Sequence, residues 1–391
     1  MTSKSRAHLI VIICILTSLV TMGASLRNPI IPLYARNLGA SIAETGLVVS
    51  IFTLVSSLMS MPMGLLSDRF GRKRLIILGI ILQAFASILL AVSNKLYLVV
   101  LAHIIAGMGL ASYMPALFAF VRDVSQIGYI GKAYGVFSSA HNLAFASGPA
   151  LGGILAALLG FRGAFLWSSA IILIGALGAM AMPRGSRDHF SQPKSSLKQS
   201  FSRLGHNVTV VACLISLFCI NFLHGMLAAF FPLLASDIGF DLPLIGVLMG
   251  TMTFGGAIVR LPAGALYDRV RKRKTLLMMT SLVVGAFATM FTTFFINPII
   301  TASLLMVFGL AWGFNATSGD ALTAEAINPE DRGLAMGIVE TFFTGGMAAG
   351  SMLMGPLIAI KGFQTSFLIA STVGYAGAFL LYLLGRKASY K

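Results

Sequence analysis

Glu340 is a carboxylate set about two turns inside an otherwise apolar run. It is the one acidic residue clearly within such a run, and Asp320 sits near the end of another. Arg27, His103, His141 and His224 also stand in apolar sequence, as do the uncharged polar residues Asn28, Asn142, Asn221 and Asn315. A carboxylate in such surroundings can take up and release a proton, and imidazole titrates near neutrality. If these runs lie in lipid, each unpaired charge costs about 2.5–3.5 kcal/mol on insertion scales, so a retained one points to function. Pairing and snorkelling are the alternatives. Arg27 reads first as facing a cavity, and otherwise as a structural pair or a charge snorkelling to the outer interface. Glu340 reads as a coupling or substrate residue and Asp320 as a gate or interface charge. Each histidine reads first as a hydrogen-bonded packing residue, with His103 the leading candidate for a proton carrier. The asparagines are candidates to line a path.

Other chemistry finds no support in the sequence. There is no Gly-Lys-Ser/Thr loop to cradle phosphate, so no ATP hydrolysis is expected. No nucleophile–His–acid arrangement and no metal cluster stands out, so neither an enzyme nor a cofactor is expected. Cys14, Cys213 and Cys219 are scattered through apolar runs, which suits packing rather than disulfides or metal.

The elements that must position these residues are membrane spans. Hydrophobic residues make up 57% of the 391, and only 10% are charged against roughly 25% in soluble domains. About 20 apolar residues cross a bilayer. The apolar runs predict helices over 9–33, 45–66, 75–93, 96–120, 133–158, 163–182, 208–234, 243–266, 275–296, 299–321, 333–359 and 365–385. Tight reversals fall at Asn297-Pro298 and Gly160-Phe161-Arg162. The fold class is an all-α membrane protein with twelve spans. Lys4 and Arg6 before the first run would suit a signal peptide. The run continues into Asn28-Pro29-Ile30-Ile31-Pro32, so it is read as a permanent helix.

The net charge of +16 follows topology rather than a nucleic-acid partner. Of 28 Lys and Arg, all but Arg27, Arg36, Lys95, Arg162 and Lys361 fall in loops or tails on the side of the first residue, leaving 23 there. Cytoplasmic loops carry such an excess. Both termini are therefore expected in the cytoplasm and the protein in the inner, or plasma, membrane, as a monomer in contact with lipid.

The chain is also a duplication. Pro32-Leu33, Gly39, Gly64 and Asp68-Arg69 recur 200 residues later as Pro232-Leu233, Gly239, Gly264 and Asp268-Arg269. Gly107, Gly131, Ala133, Gly135, Gly148, Gly153 and Gly160-Phe161 recur 202 residues later. Residues 1–182 and 208–391 thus form two six-helix bundles. Six spans each make the repeats parallel, an architecture of transporters. The stretch 183–207 is a cytoplasmic linker. Within it Leu197, Phe201 and Leu204 keep helical spacing beside cations, which suits a surface helix or a plain linker equally.

The loop Gly64-Leu65-Leu66-Ser67-Asp68-Arg69-Phe70-Gly71-Arg72-Lys73-Arg74, with its second copy from Gly264, resembles the signature loop of the major facilitator superfamily. The resemblance covers essentially the whole chain and implies two bundles around a central cavity. A glycine at 64 suits a close approach of helices, and Asp68 can accept from free N–H groups at a helix start. The resemblance implies that Asp68 ties the halves together near Asp331-Arg332-Gly333, that Arg72 pairs with Asp123, and that Arg69, Gly71, Asp268 and Arg269 belong to the same gate. Gly148-Pro149-Ala150-Leu151-Gly152-Gly153 resembles the antiporter motif of the drug:proton branch, with Ala144 in place of its leading glycine. His103 stands where relatives carry an arginine. The function expected is secondary transport by alternating access, with the proton as coupling ion and a hydrophobic or amphipathic small molecule exported. Transport of a small anionic metabolite anchored on Arg27, or a transporter-like sensor that moves nothing, are the competing readings.

Overall fold

The computed structural model describes residues 3–125, 130–180, 182, 205–270, 274–326 and 332–388. The surface helix expected around Leu197–Leu204, the residue Asp331, and the side chains of Asp68 and Asp123 lie outside what it describes.

The described chain is helical. Its elements are α1 (Ser3–Ser25), α2 (Ile30–Asn37), α3 (Ile42–Phe70), α4 (Arg72–Val92), α5 (Leu96–Val124), α6 (Ile130–Met180), α7 (Val208–Asp237), α8 (Leu242–Ile258), α9 (Arg260–Arg269), α10 (Thr275–Phe291), α11 (Pro298–Ala326) and α12 (Arg332–Ala388). Elements and spans are not one to one. The pairs α1–α2 and α8–α9 each make one crossing, Leu9–Asn37 and Leu242–Arg269. Conversely, α6 and α12 each bend back on themselves at one residue, Gly160 (φ 70°, ψ 172°) and Gly362 (φ 75°, ψ 171°). Among the described residues nine helices are long and apolar enough to cross a membrane, and α10 is a shorter apolar one. With α6 and α12 each crossing twice, this is consistent with twelve spans.

Local chemistry sets the breaks. A residue with φ near +70° favours glycine, which has no Cβ to clash. Both reversals fall on the glycines that the repeat pairs. Gly71 (φ +98°) separates α3 from α4 for the same reason. Asn297 Oδ1 accepts from Ile299 N at 2.9 Å and so caps α11, while Asn207 Oδ1 accepts from Thr209 N at 3.1 Å and caps α7. In the first crossing the helix loosens between Ser25 and Ile30, around Pro29, and re-forms with Ile31 N bonded to Arg27 O at 3.0 Å.

By contacts the chain forms two compact units. The first takes Met1–Ser41, Ile51–Phe190 and Ala235–Gly250; the second takes Ile42–Ser50, Ser191–Leu234 and Thr251–Lys391. The core of the first is packed around Tyr113, Phe120 and Phe137, each at most 1% exposed. Within it Arg36 forms an ion pair with Asp237.

Small residues hold the helices of each unit together, as expected where lipid removes the hydrophobic drive between them. The same crossings recur in both units. A Cβ at Gly107 would lie 2.8 Å from Phe52 O, and one at Gly309 2.0 Å from Met252 O. At Gly148 it would meet Leu26 N at 2.8 Å, and at Gly350 Met226 N at 3.1 Å. Gly246 faces Pro149 O at 2.5 Å and Gly46 faces Ser351 O at 2.3 Å. Each pair of partners keeps the 200 or 202 offset, so the duplication read from sequence is a duplication of contacts.

Gly64 and Gly264 of the signature loops are unlike these crossing glycines. Among the described residues nothing stands within 4 Å of a Cβ built at either. In the same loop it is Gly71, with its positive φ, that the backbone needs.

Candidate functional site

The first unit carries a buried arginine in a neutral network. Arg27 is 4% exposed. Its Nη2 donates to Gln83 Oε1 at 2.5 Å, its Nη1 to Ser87 Oγ at 3.1 Å and its Nε to Ala24 O at 3.3 Å. Gln83 Nε2 in turn donates to Ala106 O at 2.9 Å, and the Ser87 and Ser168 hydroxyls share a bond at 3.0 Å. The expectation that Arg27 faces a cavity therefore does not hold here. The loosened backbone of 26–29 turns the side chain onto α4, inside the bundle. A buried charge is tolerable when its donors are bonded, and here the acceptors are hydroxyl, amide and carbonyl groups rather than carboxylates. Arg27→Ala is expected to leave the Gln83 amide oxygen without its donor and to cost about 1–3 kcal/mol. Thermal unfolding of the purified protein in detergent measures this.

His103 is 5% exposed, donates from Nδ1 to Val99 O at 2.9 Å and meets the Phe52 ring edge-on at 6.5 Å. It lies within electrostatic range of Arg27. His141 is half-buried and shares a 3.0 Å hydrogen bond from Nδ1 with Thr21 Oγ1. Beside it a cavity of ≈ 310 Å³ opens between α1 and α6, lined by Ser18, Leu19, Met22, Ala140, Leu143, Ala144 and Ser147. Asn142 bonds its own helix at Ser138 O (2.8 Å), and Asn28 is half-buried at the loosened turn.

In the second unit His224 is 3% exposed and stacks on Trp312, centroid to centroid 4.4 Å with 4° between planes. Trp312 Nε1 donates to Asn221 Oδ1 at 3.0 Å. Asn315 is wholly buried. Its Nδ2 donates to Ser216 Oγ and Ser281 Oγ, both at 2.8 Å, tying α11 to α7 and α10. That placement corrects its expected position on a path. The three cysteines are free and buried, as packing residues are.

Asp320 and Glu340 are different. Both keep accessible surface although each is inside a spanning helix. The Asp320 charge lies within electrostatic range of Glu340. It also acts on Arg260, at the junction of α8 and α9. Sequence reading missed Arg260 by counting it among the loop cations, although it stands within the predicted span 243–266. A lone arginine in an apolar run was the signal.

At the basic-loop end of the same unit, Tyr267 Oη donates to Glu325 Oε2 at 2.9 Å and Lys274 Nζ to both Glu325 oxygens at 2.7 Å. Lys274 holds the Glu325 carboxyl below the usual carboxylate range. Of the signature loops, Arg72 is buried and donates to Ala119 O, which ties α4 to α5. Arg69 lies over the Phe70 ring at 5.8 Å, and Asp268 and Arg269 are exposed. Gly148 and Pro149 both stand at the close crossings already described.

Apolar spans, a duplicated glycine-sealed architecture and charges retained within the helices define a multi-pass membrane transporter, not an enzyme. The profile of the Major Facilitator Superfamily matches residues 13–319 and 213–391, and the chain belongs to that family. An uncharacterised MFS-type transporter of Methanocaldococcus jannaschii is 24% identical over 383 residues, 95% of this chain and 97% of the relative. Quinolone resistance protein NorA of Staphylococcus aureus strain MRSA252 is 28% identical over 186 residues, 48% of this chain and 46% of NorA. That match spans less than half of NorA's length. Among solved structures, an inward-facing, unoccupied bacterial homologue of the human lysosomal transporter Spinster superposes with a TM-score of 0.84 at 14% identity. The superposition covers 99% of this chain and 98% of that one. The nucleoside transporter NupG gives 0.80 at 15% identity, over 95% and 99%. Both describe the fold.

Proposed function

We propose that the protein exports hydrophobic or amphipathic small molecules in exchange for protons, by alternating access, in the plasma membrane with its basic loops in the cytoplasm. The observation that carries this reading is the pair Asp320 and Glu340. Both are accessible carboxylates inside spans, close enough for one to feel the other. Two neighbouring carboxylates favour holding a proton between them, which is what a coupling site has to do. The similarity to a quinolone resistance protein over about half the chain supports a drug-like substrate.

A small-anion carrier anchored on Arg27 has less in its favour. The guanidinium is 4% exposed and already holds three neutral acceptors.

Proteoliposomes test the proposal. Purified protein under an imposed pH gradient should accumulate a lipophilic dye or a quinolone against its gradient, and collapsing the gradient should stop it. Counterflow of small anions with no response to pH would replace this reading with the anion carrier. Absence of flux across a broad panel would favour a sensor.

A further inference from the structure

Arg260 is an intramembrane charge that neither the signature loops nor the carboxylate pair accounts for. It sits where α8 gives way to α9. The backbone stays right-handed helical through Val259 (φ −73°, ψ −20°), and Pro262 in the next turn has no N–H, so the bonding ladder loses one rung there. Two fixed points set what it faces. On one side a Cβ at Gly313 would lie 2.2 Å from Gly256 O, so the backbones of α8 and α11 touch. On the other, Tyr267 Oη reaches Glu325 Oε2 at 2.9 Å. Arg260 and Asp320 lie between these points on the same two helices.

Counting 1.5 Å per residue from the basic-loop ends places Arg260 about 14 Å from Arg269, Asp320 about 9 Å from Ala326 and Glu340 about 12 Å from Arg332. All three charges thus stand about two to three turns in from the basic-loop ends of their helices. Arg260 is half-buried, and its Nε is enclosed with no hydrogen-bond partner among the described residues. It lies in range of Asp320 but makes no ion pair within 4 Å among those residues. Contrast Arg27, whose three nitrogens are all engaged. The Arg260 guanidinium is thus close to Asp320 without being tied to it.

We propose that Arg260 is the built-in counter-ion of the Asp320–Glu340 pair. It keeps the empty site at one net negative charge, so that a single proton, or one cationic head group, suffices to neutralise it. Without the arginine, two carboxylates alone would repel, and one would hold its proton to higher pH. With it, that proton becomes exchangeable at lower pH. Other titratable groups near the pair supply no second cation. On α7, Cys213 is a neutral thiol beside Asp320, and His224 is packed against Trp312. On α9 and α11, Tyr267 and Glu325 are bonded to each other, and Lys274 is bound to Glu325. Asp268 lies beyond them at the exposed end of α9. Among the described residues, Arg260 is the only cation acting on Asp320.

This proposal deepens the proton-coupled reading and rests on it for the link to flux, but not for the protonation of the pair. The test therefore reads protons and not transport. Purified protein in weakly buffered detergent is titrated while proton uptake is recorded, and the Glu340→Gln curve is subtracted to isolate the pair. Arg260→Gln should move the midpoint of the difference curve up by about one pH unit or more, and Arg260→Lys should restore most of it. An unmoved midpoint in Arg260→Gln, or a lysine variant as shifted as the glutamine one, overturns the proposal. Should Arg260→Gln fail to fold, Arg260→Met carries the same expectation. Loss of pH-driven flux in the wild type would sink the coupled-export reading and leave the midpoint shift standing. An unmoved midpoint with pH-driven flux intact would sink only the role of Arg260.

Discussion

Glu340→Gln is expected to lower transport driven by an imposed pH gradient by at least about tenfold, a coupling loss of about 1.4 kcal/mol or more. The amide fills the same space but has no proton to exchange. The main-chain bond by which Glu340 O accepts from Thr344 Oγ1 at 2.7 Å is untouched, so the helix should form as before. Folding and insertion should therefore match the wild type, and downhill substrate exchange should persist. Asp320→Asn should act in the same direction, since its charge acts on Glu340. Parallel assays of pH-driven accumulation and of counterflow in proteoliposomes separate coupling from binding. If Glu340→Gln accumulates substrate at the wild-type rate, Glu340 is not the coupling group and the proton path lies elsewhere.

Gly350→Ala should be among the most destabilising small changes in the second unit. The added Cβ would stand 2.0 Å from Phe222 O and 2.8 Å from Phe222 C, and both are backbone atoms that no rotamer change can move. The helices must separate, and overpacking of this kind costs about 1–3 kcal/mol or more. Gly148→Ala should behave alike in the first unit. There the nearest atom, Ser25 Oγ at 1.9 Å, belongs to a side chain that can turn away, but Leu26 N and Met22 O at 2.8 and 2.9 Å cannot. Gly64→Ala is the control. It belongs to the signature loop, yet nothing among the described residues lies within 4 Å of its Cβ, and its melting temperature should match the wild type. A Gly350→Ala protein that melts with the wild type would show that the crossing is looser than drawn here.

The sequence made most of the frame legible. Apolar run length marked the spans to within a few residues, because lipid leaves the backbone no alternative to internal hydrogen bonding. The reversal at Gly160 was visible as a short break, and its partner at Gly362 through the repeat. Facing was harder to read. Arg27 looked like a cavity charge because a run of letters does not reveal that the helix loosens at 26–29 and turns the side chain inward. Asn315 looked like a path residue, but three helices converge on its amide. Arg260 was hidden by its nearness to the basic loop after Arg269. Each of these depends on which side of a helix meets which neighbour, and that is decided by crossings between segments far apart in the chain. Gly64 shows the converse, since a recognised motif did not reveal which of its glycines the backbone needs.

The one-residue reversals bear on how the protein is made. At Gly160 and Gly362 the chain turns without a polar loop, and the helices on either side bond their own backbones up to the turn. No hydrophilic stretch is left there to wait in water while the second helix is synthesised. The two arms of α6, and likewise of α12, would then enter the bilayer as one folded hairpin. A side chain that strains the turn would be felt during insertion, before any substrate is met.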